Sequence, residues 1–282
     1  MRQILLGRTT GLIALSLSFW LAAAPGVRAE EARPWSLDGV AELGMLAPLA
    51  HSIQFGKQGT EIDYVDEGAQ DNLYFVSRFA LELGIRERHK VIFLYQPLSL
   101  QTRETAAEDI RVDDTVFKAG TPMVFTYGFP FYRASYLYDL ASASNLDLEI
   151  GASMQIRNAT IDFASADGTQ LVSKRNIGPV PELKFRATYR FDAGPWVGTE
   201  IDGMYAPVSY LNGDNNGVVG AILDASIRAG IPLSDRLDAW LNVRYLGGGA
   251  EGTSDNEKSG DGFTANWLHF LTATAGFTLG IF

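Results

Sequence analysis

The sequence contains no cysteine and only three histidines in 282 residues. Without cysteine there is no disulfide to brace a secreted fold, and no thiol on which a lipoprotein anchor could be built. His51, His89 and His269 leave little material for acid–base catalysis. A hydrolase of acyl chains or peptides needs a base beside a nucleophile and a third group to orient the base. His51 with Ser52 is the only pair that offers even two of these, so it is the sole catalytic candidate. Positive charge is also scarce, with 23 Lys and Arg against 33 Asp and Glu and a net charge of −10. A chain this acidic is a poor partner for nucleic acid. Past the first thirty residues no apolar run is long enough for a membrane helix. A mature chain that enters a membrane must then do so as a closed barrel, the one other structure that satisfies its own backbone in lipid.

The N-terminus carries what the rest lacks. Arg2 and Arg8 precede a short apolar run, Gly11 to Ala24, and Val27-Arg28-Ala29 ends in small residues. This is the pattern of a secretory signal peptide, and cleavage is expected after Ala29. Residues 30–282 would then form the mature chain, which keeps all 33 acids and loses three arginines, so its net charge is −13. A chain of that size is expected to form a single all-β domain.

The dominant pattern is period two. In Pro181 to Pro207, Leu183, Phe185, Ala187, Tyr189 and Phe191 alternate with Glu182, Lys184, Arg186, Thr188 and Arg190. After Asp192-Ala193-Gly194, Val197, Thr199 and Ile201 alternate with Gly198, Glu200 and Asp202. Alternation of this kind predicts strands with one apolar and one charged face. Further strands are expected over 35–45, 72–85, 90–103, 122–139, 145–163, 218–231, 237–246 and 266–282. Pro97 blurs the third, since proline in a strand marks an edge or a bulge. The count is ten, with eight and twelve as alternatives. Connections alternate between long (49–71, 104–121, 164–178, 208–217, 247–265) and short (86–89, 140–144, 192–194, 232–236). The long ones fall on one side and the short ones on the other, as in a single antiparallel up-and-down transmembrane β-barrel.

The signal peptide, the amphipathic strands, this rhythm and the terminal Phe282 resemble Gram-negative outer-membrane β-barrel proteins. The resemblance spans the mature chain and matches no functional subfamily. It implies an outer-membrane location, contact with outer-membrane lipids and lipopolysaccharide, and delivery by the barrel-assembly machinery. Phe282 would be part of the assembly signal, although Gly280, Thr278 and Gly276 stand where that class carries apolar residues in phase with it.

The charged face of such a barrel points into the lumen. It is expected to carry Glu82, Glu149, Glu182, Glu200, Asp202 and Asp224 with Arg78, Arg133, Arg157, Lys184, Arg186, Arg228 and Arg244. Glu42, Asp147, Asp238, Arg103 and Arg190 share the same phase assignment. A barrel of about eight strands has room only for side chains, and ten is little wider. Balanced charges in so narrow a space suit a salt-bridged plug. With the second counted from residue 105, the long connections hold fifteen acids against six bases. Divalent cations are possible partners there, at Asp214 with Asn212 and Asn215, or at Glu251, Asp255 and Asp261, though neither has the spacing of a Ca²⁺ loop. Gly247-Gly248-Gly249 is followed by no Lys-Ser/Thr, which excludes a phosphate loop. No cofactor is expected. The expected role is structural or at the surface, without catalysis. The alternatives are a narrow channel for small solutes and, behind it, a surface-loop hydrolase at His51 and Ser52.

Overall fold

Every long alternating segment forms a strand in the computed structural model, which describes residues 34–86, 88–141, 145–207, 217–254 and 260–282. The signal segment and Ala29 lie outside the described residues. The strands are β1 (Trp35–Phe55), β2 (Tyr74–Ile85), β3 (His89–Gln96 continued by Ser99–Thr105), β4 (Pro122–Gly128 continued by Phe131–Asp139) and β5 (Leu146–Ser165). They continue with β6 (Leu171–Arg190), β7 (Trp196–Pro207), β8 (Val219–Ser234), β9 (Leu237–Thr253) and β10 (Phe263–Gly280). Each is antiparallel to the next, and β10 returns to β1 from Asp38↔Gly280 to Phe55↔Thr264. The result is a closed antiparallel barrel of ten strands. At the seam Phe282 packs edge-on against Trp35, with centroids 4.6 Å apart. Three short strands lie inside the connections: Ile62–Asp63 adds to β1, while Ile110–Val112 and Thr115–Phe117 form a hairpin between β3 and β4.

Several strands run well past their expected ends. β1 continues ten residues beyond Met45, and β9 reaches Thr253. β5 and β6 leave only 166–170 as a turn, so the expected long connection at 164–178 is mostly paired strand. There are two physical reasons. In β1 the register shifts between Pro48 and Ala50, and this bulge moves the buried phase from Glu42 and Leu46 to His51, Ile53 and Phe55. A bulge breaks the period that marks a strand. In β5 the period persists and its polarity reverses. Asp147, Glu149, Ser153 and Gln155 face inward below, whereas Ala159, Ile161 and Phe163 do so above. On the outer face Ile150, Met154 and Ile156 give way to Asn158, Thr160 and Asp162.

The same reversal occurs at one height around the barrel. It falls between Phe131 and Arg133 on β4, Ile222 and Asp224 on β8, Leu246 and Arg244 on β9, and Phe270 and Thr272 on β10. Below it the barrel is inside-out, with an exposed apolar belt that includes Phe79, Phe93, Ile150, Leu183, Ile227, Leu241 and Phe277. That is the surface a transmembrane barrel presents to lipid. Above it an apolar interior of Ile53, Phe55, Leu100, Phe125, Phe163, Leu268 and Phe270 is capped by Ile62, Tyr64, Ile110, Val112 and Phe117 from the connections. Here the wall is incomplete. The β2–β3 ladder ends at Phe79↔Tyr95 and the β6–β7 ladder at Leu183↔Gly203, so among the described residues the upper halves of β3 and β6 have no strand partner on that side. Pro97, Pro179 and Pro181 sit along those edges, where a missing N–H costs no ladder bond.

Candidate functional site: the charged lumen

Period two carries every second side chain of the lower strands into one confined layer. Cross-strand register then sets the first contacts. Lys184 faces Asp202 across β6 and β7 with Nζ–Oδ2 at 2.6 Å, and Arg186 faces Glu200 at 2.6 Å. Glu42 faces Arg78 across β1 and β2 at 3.6 Å. Long side chains then reach across the lumen. Arg186 of β6 donates to both carboxylate oxygens of Glu82 on β2, at 2.7 and 2.9 Å. Arg133 of β4 meets Glu182, Asp202 and Asp224 at 3.1, 3.0 and 2.9 Å. Arg78 reaches Asp224 at 3.3 Å and Glu200 at 3.5 Å, Arg228 reaches Glu200 at 2.9 Å, and Arg244 pairs with Asp224. Lys90 holds Glu149 at 2.8 Å.

The connected set holds Glu42, Glu82, Glu149, Glu182, Glu200, Asp202 and Asp224 against Arg78, Lys90, Arg133, Lys184, Arg186, Arg228 and Arg244. Carboxylates and cations are equal in number, so the layer is neutral. Neutrality matters because an unpaired charge in low dielectric is expensive, whereas a paired and hydrogen-bonded one is tolerated. Ser153 adds a hydrogen bond to Asp202 (2.6 Å), and Asn242 adds one to Glu42 (2.9 Å). The cavity left among Glu42, Arg78, Glu82, Arg133, Arg186 and Glu200 measures about 20 Å³, the space of a water molecule or so. At the upper limit of the layer the Arg133 guanidinium lies 5.3 Å from the Phe131 ring, a cation–π contact where charge meets the apolar interior.

Twelve of the thirteen lumen residues expected from the sequence fall in this network. Arg157 stands apart. It lies above the charged layer, opposite Phe131 in register, and donates to Asn176 at 3.0 Å. Lys90 belongs to the network but escaped the sequence because its inward neighbours Ile92 and Leu94 are apolar, so no charged face marked its phase. Arg103 is exposed on the outer wall, and Arg190 pairs with Asp147 at the exposed short-turn end.

His51 and Ser52 are adjacent in a strand and therefore project to opposite faces. His51 is buried, with Nδ1 2.8 Å from Gln70 Oε1 and its ring among Tyr64, Tyr127 and Phe270, while Ser52 is half-buried on the other face. The two are therefore not joined as base and nucleophile. No cluster of three metal-binding side chains occurs among the described residues. Asn212, Asp214, Asn215 and Asp255 lie outside them. Asp261 instead accepts backbone N–H bonds from Lys57 (2.8 Å) and Phe263 (3.0 Å), which lower its carboxyl pKa and tie two connections together.

No family model matches the chain, and no curated protein sequence matches it. Solved structures with a similar fold include the outer membrane protease OmpT from Escherichia coli, at 12% identity over 88% of this chain and 98% of that one, with a TM-score of 0.49. Another is Ail, the attachment invasion locus protein of Yersinia pestis, at 10% identity over 86% and 99%, with a TM-score of 0.35. A third is the Pseudomonas putida toluene transporter TodX, at 9% identity over 88% and 90%, with a TM-score of 0.33.

Proposed function

We propose that this chain is an outer-membrane protein whose barrel is a sealed, non-catalytic anchor, and that its role is structural or at the cell surface. The observation that carries this is the double closure of the lumen. A neutral ion-pair layer crosses it, and a packed apolar interior lies directly above. An ion would have to displace charge–charge contacts near 3 Å and then pass through aromatic packing. Secretion with cleavage near Ala29, recognition of Phe282 by the barrel-assembly machinery, and contact with outer-membrane lipids and lipopolysaccharide belong to the same proposal. Conductance across a planar bilayer tests it. The purified protein should be electrically silent, and a stable stepwise current would favour a narrow channel instead. Location is tested separately: the protein should fractionate with outer membranes and migrate differently on gels when heated, and recovery as a soluble periplasmic protein would reject the anchor.

A further inference from the structure

His51 and Gln70 form a polar contact where the upper interior is otherwise apolar. Both side chains are buried, and Nδ1 of His51 donates to Gln70 Oε1 at 2.8 Å. The contact joins wall to cover, since His51 belongs to β1 and Gln70 to the first long connection. The other hydrogen bonds between residues 62–72 and the wall are few among the described residues. Ile62–Asp63 pairs with β1 over two residues only, and the Thr102 hydroxyl of β3 donates to the Gly68 carbonyl. The backbone bonds of Glu67, Gly68, Gln70 and Asn72 stay within the connection itself.

The groups packed on the His51 ring are neutral. Tyr64 of the connection lies 4.9 Å away ring to ring, Tyr127 of β4 lies 4.4 Å away, and Phe270 of β10 lies 5.5 Å away. The Asn266 amide of β10 also lies beside the ring. His51 Nε2, Gln70 Nε2, Asn266 Oδ1 and the hydroxyls of Tyr64 and Tyr127 have no hydrogen-bond partner among the described residues. The carboxylate that acts on His51 is Asp63, which is exposed and whose Oδ1 already accepts the N–H groups of Val65 and Asp66 at 2.8 and 3.2 Å. From β5, Asp162 acts on Tyr64 and is engaged by Ser173 at 2.6 Å, while Arg157 acts on Tyr127 and is itself positive. A second proton on the His51 ring would therefore be a buried charge without a counter-ion. His51 stands opposite Leu268, past the polarity reversal at Phe270, and so lies above the belt. Burial there pushes its imidazole down from 6.5 to about 4.

We propose that His51 is an acid-sensitive latch: its neutral ring pins residues 62–72 over the upper interior, and a proton taken up at Nε2 releases them while the barrel wall stays closed. On release the ring reaches water, where the imidazolium is solvated. Tyr64 leaves Phe125 and Phe163, whose rings it meets at 5.5 and 6.0 Å in the closed form, and the upper interior opens to the outside. The closed form binds the proton less readily than the open one. Closure is therefore at full strength above about pH 6.5 and weakens as the pH falls toward about 4. The ion pairs of the charged layer lie below the latch and are not part of it.

Hydrogen exchange followed by mass spectrometry on the full mature barrel tests this, with protection corrected for the intrinsic pH dependence of exchange. Between about pH 7.5 and about pH 5, protection over residues 62–72 should fall roughly thirtyfold, the ratio given by a histidine at 6.5 when open and about 4 when closed. Protection over residues 148–155, in the charged layer, should hold. His51→Asn keeps a donor near the Nδ1 position and cannot titrate, so its connection should be equally protected at both pH values. Gln70→Glu sets a carboxylate against Nδ1 and should keep the connection closed at about pH 5. Equal protection of the wild-type connection at both pH values overturns the latch, and so does the wild-type loss persisting in His51→Asn. Should His51→Asn not fold, the same loss persisting in Gln70→Glu overturns it. Loss over residues 148–155 together with 62–72 replaces a local latch with unfolding of the whole barrel.

Discussion

Below Arg157 the interior of β5 reads Asp147, Glu149, Ser153 and Gln155; above it the same inward phase reads Ala159, Ile161 and Phe163. One continuous strand thus serves two solvents. On the outer-membrane reading proposed above, lipid outside the lower region demands apolar side chains, and the polar remainder turns inward and neutralises itself. In the upper region water outside restores the ordinary order, with an apolar core and a polar surface. The two regions are therefore held by different forces. Ion pairs with complete charge balance hold the lower lumen, and hydrophobic burial holds the upper core. The lesson is that alternation alone gives the strand, whereas the sign of the alternation gives the solvent.

Substitutions can separate the two regions. The largest effect is expected for Arg133→Met in the lower one. It leaves Glu182, Asp202 and Asp224 without their shared cation, and breaking a buried pair on one side costs on the order of 3–5 kcal/mol. Thermal unfolding followed by gel mobility should show a markedly lower transition. Phe163→Ala in the upper core should cost about 3 kcal/mol, with faster proteolysis of the long connections while the membrane-embedded band still resists detergent. On the outer face of β5, Ile150→Lys places a charge in the belt and should cost about 2 kcal/mol. Thr160→Lys, ten residues along the same face, should change stability by no more than about 0.5 kcal/mol. Equal costs at the two sites would erase the boundary.

The smallest effect is electrostatic and confined to the upper region. In the β5–β6 turn the Thr169 N–H and the hydroxyls of Ser165 and Thr169 pull the Asp167 carboxyl from 3.8 down to about 2. A depressed carboxylate pKa contributes stability above its unfolded value and loses it as pH falls through the folded one. Asp261 is shifted in the same direction. Amide protection at Thr169, Lys57 and Phe263 should therefore decline between about pH 4 and 2, while that of the barrel strands holds.

The ten strands and most of the lumen were legible because period two survives wherever one face is charged. Lys184, Arg186, Glu200 and Asp202 declared both their strand and their partners. What the sequence hid was of two kinds. Local geometry hid the end of β1, because the bulge at Pro48–Ala50 shifts the phase by one residue. A change of solvent hid the upper part of β5, because Ala159, Ile161 and Phe163 turned inward there read as the end of an amphipathic pattern, and Gly247-Gly248-Gly249 hid the upper part of β9 by reading as a connection. Lys90 was lost for a related reason, lying among inward-facing apolar residues. Network partners more than one strand apart, such as Arg186 with Glu82, needed the closed barrel to bring them together.

The two-solvent account is tested most directly by labelling, which the cysteine-free sequence makes simple. Single cysteines placed at each residue of β5 from 148 to 164, leaving out Gly151, where a Cβ would meet the Tyr136 carbonyl, would carry a nitroxide, and collision with oxygen in lipid and with a nickel chelate in water would be measured for each. Even-numbered sites through 156 should be accessible to oxygen, even-numbered sites from 158 should be accessible to nickel, and odd-numbered sites should be shielded from both. Oxygen accessibility continuing unchanged to 164, or nickel reaching the odd-numbered sites of the charged layer, would contradict it.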